Sequence, residues 1–302
     1  MSRMKPGQVT DDQRGPLLIC AIGDLILDVV VLPDAPLVPD GDTPATIRFT
    51  AGGQAANVAA WASVLGARSR LICARGMDQS SELAASDLGR RSVEICGPVI
   101  AGRGGVVVST RELDGARTMA SDRGVASRLE ASALDPSWVR TADVLHVSGY
   151  CLLREPMADA AITAARLARR VTVDLASAHD IARFGPQEFT ARLQALGPDL
   201  VFANEAERAA VGDLDARWVI KLGARGAIFP EGHLAAAAVA VLDTTGAGDA
   251  LAAGYLVGGP ELAIAAAGRC VSASGAMPPD PGQGFRALRR TTCPAAPAHS
   301  AR

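Results

Sequence analysis

The feature that most constrains the fold of this 302-residue chain is a regular alternation of two kinds of segment. Short runs of β-branched and other aliphatic residues are followed by Ala-rich segments in which apolar residues recur at helical spacing. Strands separated by helices form βαβ units, so the chain predicts an α/β fold with a mostly parallel sheet covered on both faces. The predicted strands are residues 17–31, 70–74, 144–148, 171–174, 200–203 and 218–222, and the predicted helices are residues 54–65, 80–91, 156–170 and 247–257.

Two segments depart from this alternation. Residues 46–50 and residues 106–119, the second with a turn signal at Asp114-Gly115, have the composition of extended strands. They predict a small β-sheet that stands off the main domain and acts as a lid over a site at the edge of the main sheet. The predicted lid segments lie near residues 42–51 and 104–121.

The composition is typical of a globular enzyme, with 49% hydrophobic and 21% charged residues. One main domain is predicted over residues 16–288, with a loose leader at 1–15 and a frayed tail at 289–302. The apolar run near the start is interrupted by Asp24 and Asp28, so no membrane association is expected.

The charge pattern argues against a nucleic-acid partner. The formal net charge is -2, and the basic residues are scattered, whereas nucleic-acid binders concentrate them on one surface. The six cysteines form no CxxC pair, which favours buried thiols in a reducing cytosol over disulfides or zinc ligands. We therefore expect a cytoplasmic protein with a small-molecule partner.

The strongest local feature is the segment DTTGAGD at residues 243–249, between a hydrophobic stretch and an Ala-rich helix. Its glycines allow a sharp turn, so the N–H groups of Gly246, Ala247 and Gly248 can form a cradle for anionic oxygens at a helix N-terminus. Asp249 beside such an anion suits a base that accepts a proton from an attacking hydroxyl. The alternative is a structural turn whose Asp only caps the helix.

A second glycine-rich segment opens the helix predicted at residues 54–65. Gly52 and Gly53 let a ligand approach the backbone closely, and Asn57 can exchange hydrogen bonds with a polyol. Asp28 lies near the end of the first predicted strand, where ligand sites of open parallel sheets collect. These residues predict a site for a polyhydroxylated ligand. The alternative is a flexible turn, a solvent-facing Asn and an Asp that ends a strand.

Two further segments point to the phosphates of a nucleotide. Asn204 and Glu207 lie on one side of a helical turn after a predicted strand, where they can hold a hydrated Mg²⁺ with its phosphates. The alternative there is an ordinary helix start. The second segment contains Lys221, Gly223, Arg225 and Gly226 and follows a predicted strand. Its two glycines would let a nucleotide lie against the backbone. The alternative is a hairpin turn.

Taken in order, these segments resemble the ribokinase family, also called the phosphofructokinase B family of carbohydrate and nucleoside kinases. Both family signatures are visible, at residues 52–67 and 243–249, and the similarity covers residues 17–277. The resemblance implies a three-layer α/β/α domain with a small β lid that uses ATP and Mg²⁺ to phosphorylate a hydroxyl of a small pentose or hexose sugar. It also allows a homodimer formed through the lid.

The resemblance carries roles over position by position. Asp249 matches the general base, and the amides of residues 246–248 match the anion hole. The matching substrate contacts are Asp28, Gly52, Gly53 and Asn57. Tyr150 is a further candidate for substrate binding, which could stack on a base or a sugar face or else fill the core. The matching nucleotide contacts are Asn204, Lys221, Gly223, Arg225, Gly226 and Thr244. Asn204 and Glu207 match the region that organises Mg²⁺ and phosphate, and Asp243 matches a residue that helps to bind K⁺ or another monovalent cation in some members.

Several positions depart from ribokinases proper, so the resemblance extends to the family and not to that enzyme. Gln54 and Ala55 stand where Lys and Gly are frequent, Ile26 replaces a polar sugar contact, and Tyr150 replaces a Glu. Two alternatives therefore stay open: a nucleoside kinase of the same family, and a non-catalytic sensor of sugar or nucleotide. A dinucleotide oxidoreductase is a weaker alternative because the GAG motif lacks a third glycine, and no GK[ST] P-loop is present.

Overall fold

The computed structural model describes residues 15–111, 117–175 and 177–279. The predicted leader up to residue 14, the turn at Asp114-Gly115 and the predicted tail lie outside the described residues. Within them, the strands are β1 (Leu18–Ile22), β2 (Ile26–Pro33), β3 (Ala45–Gly52), β4 (Arg68–Ile72), β5 (Arg75–Gly76), β6 (Val93–Cys96), β7 (Val99–Ile100), β8 (Gly105–Arg111), β9 (Arg117–Asp122), β10 (Val144–Ser148), β11 (Val171–Asp174), β12 (Leu200–Asn204), β13 (Arg217–Lys221), β14 (Ala227–Phe229) and β15 (Gly232–Leu234).

The α-helices of the same residues include the four that were predicted and five that were not. They are α1 (Gln54–Val64), α2 (Gln79–Arg90), α3 (Pro136–Arg140), α4 (Met157–Ala165), α5 (Ala178–Phe184), α6 (Pro186–Leu196), α7 (Glu205–Val211), α8 (Ala247–Gly258) and α9 (Pro260–Val271). The helix predicted over residues 156–170 is too long, because α4 ends at Ala165. The amides of Leu167 and Ala168 then donate to carbonyl oxygens three residues earlier, which is a turn and not an α-helix. Among the described residues, no helix has the length and apolar composition needed to cross a bilayer.

Nine strands form the main sheet, in the order β15-β14-β13-β12-β11-β10-β1-β4-β6. The neighbours from β13 to β6 are parallel, and β14 and β15 add two antiparallel strands at one edge. The predicted mostly parallel sheet is therefore confirmed. Because the carboxyl ends of the parallel strands share one edge, side chains that follow different strands meet there.

Helices cover the main sheet on both faces, which gives the three layers. Successive residues of a strand point to opposite faces. In β1, Cys20 and Ile22 pack into a core shared with α4 and α6, whereas Ile19 and Ala21 pack with α1 on the other side. On that second side α1 lies beside α8, and the Trp61 indole N–H donates to the Ala276 carbonyl oxygen at 2.9 Å.

A separate four-stranded sheet, in the order β3-β2-β8-β9, forms the predicted lid. The single strand predicted over residues 17–31 is wrong, because this run contributes β1 to the main sheet and β2 to the lid. The chain changes sheets at Gly23, whose amide donates to the Ile72 carbonyl oxygen at 3.2 Å. The apolar run is nearly continuous across this point, so its pattern does not reveal the break.

Candidate active site

The DTTGAGD segment forms the start of α8. Gly246 has φ 74°, a left-handed conformation that favours glycine, and its carbonyl accepts the Ala250 amide at 2.9 Å. The Ala247 amide donates to the Thr244 carbonyl oxygen at 3.3 Å. Amides of a first helical turn carry partial positive charge, and Asp249 lies in that turn. The segment thus has the backbone turn that the predicted anion hole needs, and the hole itself stays a prediction.

The two glycine-rich segments meet through a side-chain contact. The Asn57 amide nitrogen Nδ2 donates to Asp249 Oδ2 at 2.7 Å, from the first turns of α1 to the first turn of α8. Asn57 is buried, and its Oδ1 has no hydrogen-bond partner in the described part of the chain. Buried polar atoms are rarely left unpaired, so this oxygen is an acceptor available to a ligand hydroxyl.

The charge state of Asp249 is set by its surroundings. Burial, and then the negative charge of Asp174, raise the pKa of Asp249 to about 7. The Asn57 hydrogen bond and the charge of Lys221 act in the opposite direction, and Asp28 adds a smaller upward contribution. A carboxylate with a pKa near neutrality is suited to accepting a proton at physiological pH.

A cavity of about 180 Å³ lies beneath the lid, and we call it the acceptor cavity. In register, Asp28 on β2 faces Thr50 on β3 and Val107 on β8, so these side chains share one face of the lid. That face lines the cavity. Four of the five predicted substrate residues also line it, namely Asp28, Gly53, Asn57 and Tyr150.

Gly52, the fifth predicted substrate residue, does not line the acceptor cavity, but it leaves room for the Asp28 carboxylate, which does. A Cβ at Gly52 would lie 2.2 Å from Asp28 Oδ2, so only glycine allows this carboxylate to rest against the backbone. Gly53 has φ 101°, and a Cβ there would lie 2.3 Å from the Asp24 carbonyl oxygen. Both glycines therefore serve close packing at the base of the lid.

Arg123 lies in the acceptor cavity, and the sequence reasoning missed it. It follows β9, and its guanidinium donates from Nη1 to Asp24 Oδ2 and lies 5.0 Å from the centre of the Tyr150 ring. Asp24 and Tyr150 follow β1 and β10 of the main sheet, so this contact joins the lid to the domain. The sequence offers one signal for it, an arginine that comes directly after the last predicted lid segment.

Gln54, one of the departures from ribokinases, is held from both ends of its amide. Its Oε1 accepts the Ser148 hydroxyl at 2.7 Å, and its Nε2 donates to the Leu175 carbonyl oxygen at 3.3 Å. It lines the acceptor cavity together with Ser148. Gln54 thus joins α1 to the ends of β10 and β11.

A second cavity of about 520 Å³ lies on the other side of the α8 N-terminus, and we call it the donor cavity. Its volume is within the range of small-molecule and cofactor sites. It is lined by the predicted nucleotide residues Lys221, Gly223, Gly226 and Thr244, by Ala247 and Gly248, and by an apolar wall that includes Ala236–Val239, Ile264 and Ala267.

Lys221 joins the donor cavity to a buried group of charges. Its Nζ lies 2.6 Å from Asp174 Oδ1 and 3.9 Å from Glu207 Oε2. A Cβ at Gly248 would lie 3.2 Å from the same nitrogen, which places the ammonium beside the α8 N-terminus. Burial opposes its charge, but Asp174 and Glu207 outweigh that effect and raise the pKa of Lys221.

Asn204 and Glu207 form a capping box at the start of α7. The Asn204 backbone and side-chain amides each donate to the Glu207 carboxylate at 2.8 Å, and the Glu207 amide donates to Asn204 Oδ1 at 2.8 Å. Neither residue lines the donor cavity. The pair therefore forms the helix start of the structural alternative, and Glu207 also lies 3.9 Å from Lys221 of the cavity lining, so its role with Mg²⁺ and phosphate stays a prediction.

Two other predicted residues lie away from the donor cavity. Arg225 forms an exposed ion pair with Glu205 and is not part of the cavity lining. Asp243 borders the acceptor cavity instead. Its Oδ1 accepts the Thr245 amide and hydroxyl at 3.0 and 2.5 Å, and its Oδ2 accepts the Gly275 amide at 2.9 Å, so this carboxylate holds the loop before α8.

Comparison with known proteins identifies the family of this chain. The sequence profile of the pfkB family carbohydrate kinases matches residues 17–278. The chain belongs to the pfkB family. It is 31% identical over 257 residues to an ATP-dependent ribose-1-phosphate kinase from Halopiger xanaduensis, across 79% of this chain and 83% of that one. As a member of this family it is a phosphotransferase whose acceptor group is a hydroxyl.

Two solved structures of kinases share the fold. Adenosine kinase from Sinorhizobium meliloti superposes with a TM-score of 0.75 at 24% identity, over 87% of this chain and 96% of that one. An uncharacterized sugar kinase from Pyrococcus horikoshii in complex with ATP gives a TM-score of 0.73 at 22% identity, over 86% and 95% of the two chains. At these identities the likeness establishes the three-layer fold with its lid.

Proposed function

We propose that this pfkB family member transfers the γ-phosphoryl group of ATP to a hydroxyl of a small sugar, with Asp249 as the general base. The observation that carries the proposal is the position of Asp249. It lies in the first turn of α8, next to Gly248 of the donor-cavity lining, and Asn57 of the acceptor cavity contacts its carboxylate. A base at this junction can reach a hydroxyl that faces the γ-phosphate.

The chemistry follows from this arrangement. The acceptor hydroxyl gives its proton to Asp249 as its oxygen attacks the γ-phosphorus, and Asn57 keeps the carboxylate in place. The amides of Gly246, Ala247 and Gly248 and the ammonium of Lys221 would offset the charge on the transferring group. The lid would exclude water, which limits hydrolysis of ATP.

The donor cavity fits a nucleotide with Mg²⁺. Its apolar wall suits a base and ribose, and Lys221 and Gly248 mark the phosphate end. Among the described residues, no group of three or more His, Cys, Asp or Glu side chains is placed to hold a metal ion. Mg²⁺ commonly binds through substrate phosphates and water with one or two carboxylates, and Glu207 and Asp174 are the nearest carboxylates to Lys221. Bound Mg²⁺ would neutralise phosphate charge.

Asp243 stays the predicted residue for K⁺ or another monovalent cation. Both oxygens of this carboxylate accept hydrogen bonds from the loop before α8, so Asp243 also shapes that turn. An ionised carboxylate has about four acceptor sites, which is compatible with a further contact to a cation.

The acceptor cavity favours a sugar over a nucleoside. Its volume of about 180 Å³ is small, and the Tyr150 ring that could stack on a base already carries the Arg123 guanidinium on one face. The polar groups around it, among them Asp28 and Asn57, suit hydroxyls. The relatives named above include both a ribose-1-phosphate kinase and an adenosine kinase, so the nucleoside alternative belongs in the same assay.

A coupled assay of ADP release tests this function with a panel of sugars, sugar phosphates and nucleosides. We expect turnover of at least one sugar substrate, and loss of turnover in Asp249→Ala with retained ATP binding, since a positioned base contributes about a hundred to ten thousandfold. Near wild-type rates in Asp249→Ala would remove Asp249 from the mechanism. ATP binding without phosphorylation of any compound would support the non-catalytic sensor instead.

We also propose that two copies of the chain pair through the outer face of the lid. In register, Val29 faces both Phe49 and Val108, and Val31 faces Ile47, which forms one apolar face opposite the cavity. Phe49 and Ile47 are 63% and 53% exposed. Light scattering should give twice the chain mass for the wild type and the monomer mass for Phe49→Glu; a monomeric wild type would contradict the proposal.

A further inference from the structure

The proposed transfer gives no role of its own to one wholly buried carboxylate, that of Asp174. This residue ends β11, its side chain has no exposed surface, and it lines neither the acceptor cavity nor the donor cavity. Because a carboxylate is costly to bury, its position in the core calls for an explanation.

Asp174 holds Lys221 across the intervening strand β12. Asp174 is paired in register with Phe202, and Lys221 with Asn204, so these side chains share the face on which Phe202 packs with α8. The Lys221 ammonium lies 2.6 Å from Asp174 Oδ1. Glu207 is the more distant partner at 3.9 Å, and its carboxylate accepts both Asn204 amides of the capping box. Asp174 is therefore the group that fixes the ammonium.

The place where the ammonium is held is unfavourable for a cation on its own. A Cβ at Gly248 would lie 3.2 Å from Lys221 Nζ, so the ammonium lies beside the first turn of α8. The amides of a first helical turn carry partial positive charge, which repels a cation and attracts an anion. Two positive groups thus meet at the donor cavity, which Lys221 and Gly248 both line. This arrangement suits the negative charge of a transferring phosphoryl group.

Stability alone does not account for the buried pair. Such a pair often contributes no more than apolar side chains of the same volume, because both charges lose their water. The second carboxylate oxygen, Asp174 Oδ2, is also buried and has no hydrogen-bond partner in the described part of the chain. The contribution of this carboxylate is therefore to the position of Lys221.

We propose that Asp174 is a positioning residue for phosphoryl transfer, which holds the Lys221 ammonium beside Gly248, where it meets the γ-phosphoryl group of the nucleotide. This inference rests on the proposed kinase function. Asp174 touches neither substrate, so its loss acts through Lys221. The loss should slow the transfer step and leave binding of the acceptor unchanged.

A double-variant cycle of Asp174→Asn and Lys221→Met tests the proposal. ADP release is measured at pH 8.5, above the pKa of Asp249, with the fastest acceptor among ribose, fructose, ribose 5-phosphate and adenosine. Asp174→Asn should lower kcat about tenfold to a hundredfold, because a displacement of about 1 Å can cost a hundredfold. KM for the acceptor should change by less than about threefold. Asp174→Asn should have no further effect on kcat once Lys221 is Met.

Thr172→Val is the matched control for loss of a buried polar group. Thr172 is wholly buried two residues before Asp174 on the same strand, and its hydroxyl lies 3.0 Å from His146 Nδ1. This variant should lower the melting temperature and leave kcat unchanged. A loss of kcat as large as that of Asp174→Asn would mean that kcat follows stability, and would overturn the proposal.

The cycle separates this inference from the proposed function. An unchanged kcat in Asp174→Asn, or losses that multiply in the double variant, would overturn the positioning role while the kinase function stands. Recovery of kcat in Asp174→Asn at high Mg²⁺ would also overturn it, because Asp174 would then act on the metal ion. If Asp174→Asn does not fold, Lys221→Met is compared with the double variant: equal kcat supports the proposal, and a lower kcat in the double variant overturns it.

If no compound is phosphorylated, the kinase function fails and calorimetry decides the inference separately. An ammonium that meets the γ-phosphoryl group should make the β,γ-imido analogue of ATP bind about tenfold more tightly than ADP. Asp174→Asn should remove this difference, as Lys221→Met does. Equal affinities in wild type, or an unchanged difference in Asp174→Asn, would overturn the proposal.

Discussion

The Asn57 side-chain amide donates a hydrogen bond of 2.7 Å to the Asp249 carboxylate, although the two residues are 192 positions apart in the chain. The contact stabilises the ionised form of Asp249, and burial and the Asp174 charge oppose it. The balance of these effects leaves the pKa of Asp249 at about 7. The proposed base is therefore divided between its two protonation states at neutral pH.

The pH dependence of the reaction should report this balance. Because the base must be ionised, kcat/KM should rise with unit slope below pH 7 and level off above it. Asn57→Ala removes a contact that lowers the pKa of Asp249, so the rise should move to higher pH. His146 cannot cause it, since burial lowers its pKa to about 3. An unmoved profile in Asn57→Ala would contradict the assignment of the base.

Asp249 should also lower the free energy of unfolding at high pH. Its folded-state pKa lies above the unfolded value of 3.8, so its favourable contribution is complete below that value and is lost as pH rises through 7. Asp249→Asn should therefore be more stable than wild type at pH 8, on the order of 2 kcal/mol, with little difference at pH 4. Urea unfolding at the two pH values measures this, and a constant difference would argue against the raised pKa.

The buried pair of Lys221 and Asp174 should show strong coupling. Lys221→Met leaves the wholly buried Asp174 carboxylate without its counter-ion, which should cost about 3–5 kcal/mol of unfolding free energy. Adding Asp174→Leu to that variant should recover part of the loss because the uncompensated charge is gone. Denaturant melts of the two single variants and the double variant form the cycle. Strictly additive losses would mean that the two charges do not interact.

Gly52 should control the acceptor site through Asp28. In Gly52→Ala the new methyl would overlap the Asp28 carboxylate, so KM for the sugar should rise at least about tenfold if Asp28 binds it. Gly89→Ala is the matched control, because it lies in α2 with open space around it and should gain up to about 1 kcal/mol of stability. Calorimetric binding of the sugar by both variants checks the expectation, and equal affinities would exclude this role for Gly52.

Among the described residues, the periodic pattern of the chain was sufficient for six of the nine strands of the main sheet and for four of the nine α-helices. Strands such as Val144–Ser148 and Val171–Asp174 are short Val-containing runs in which every residue is buried, the polar His146 and Thr172 included, as in a strand covered on both faces. The residues 17–31 show the limit of this reasoning. Membership of one sheet or another depends on partners far along the chain, and hydrophobicity alone does not encode them.

The residues of the candidate site likewise fall into those that the sequence predicted and those that it did not. Gly53, Asn57 and Asp249 were predicted because their chemistry is local to glycine-rich turns, and the structure brings them together. Asp174 and Arg123 were missed because each acts through a partner from a distant segment, Lys221 in one case and Asp24 in the other. An isolated Asp or Arg in a sequence gives no indication of such a partner.

The packing of α1 against α8 also bears on how the protein is made. Asn57 and Trp61 find their partners, Asp249 and Ala276, only when the last helices have been synthesised. A nascent chain that lacks them has the lid and all nine described strands of the main sheet, but neither the proposed base nor the α8 N-terminus. With Asp249 as the base, phosphoryl transfer would begin only after this late segment has emerged from the ribosome and closed against the first helix.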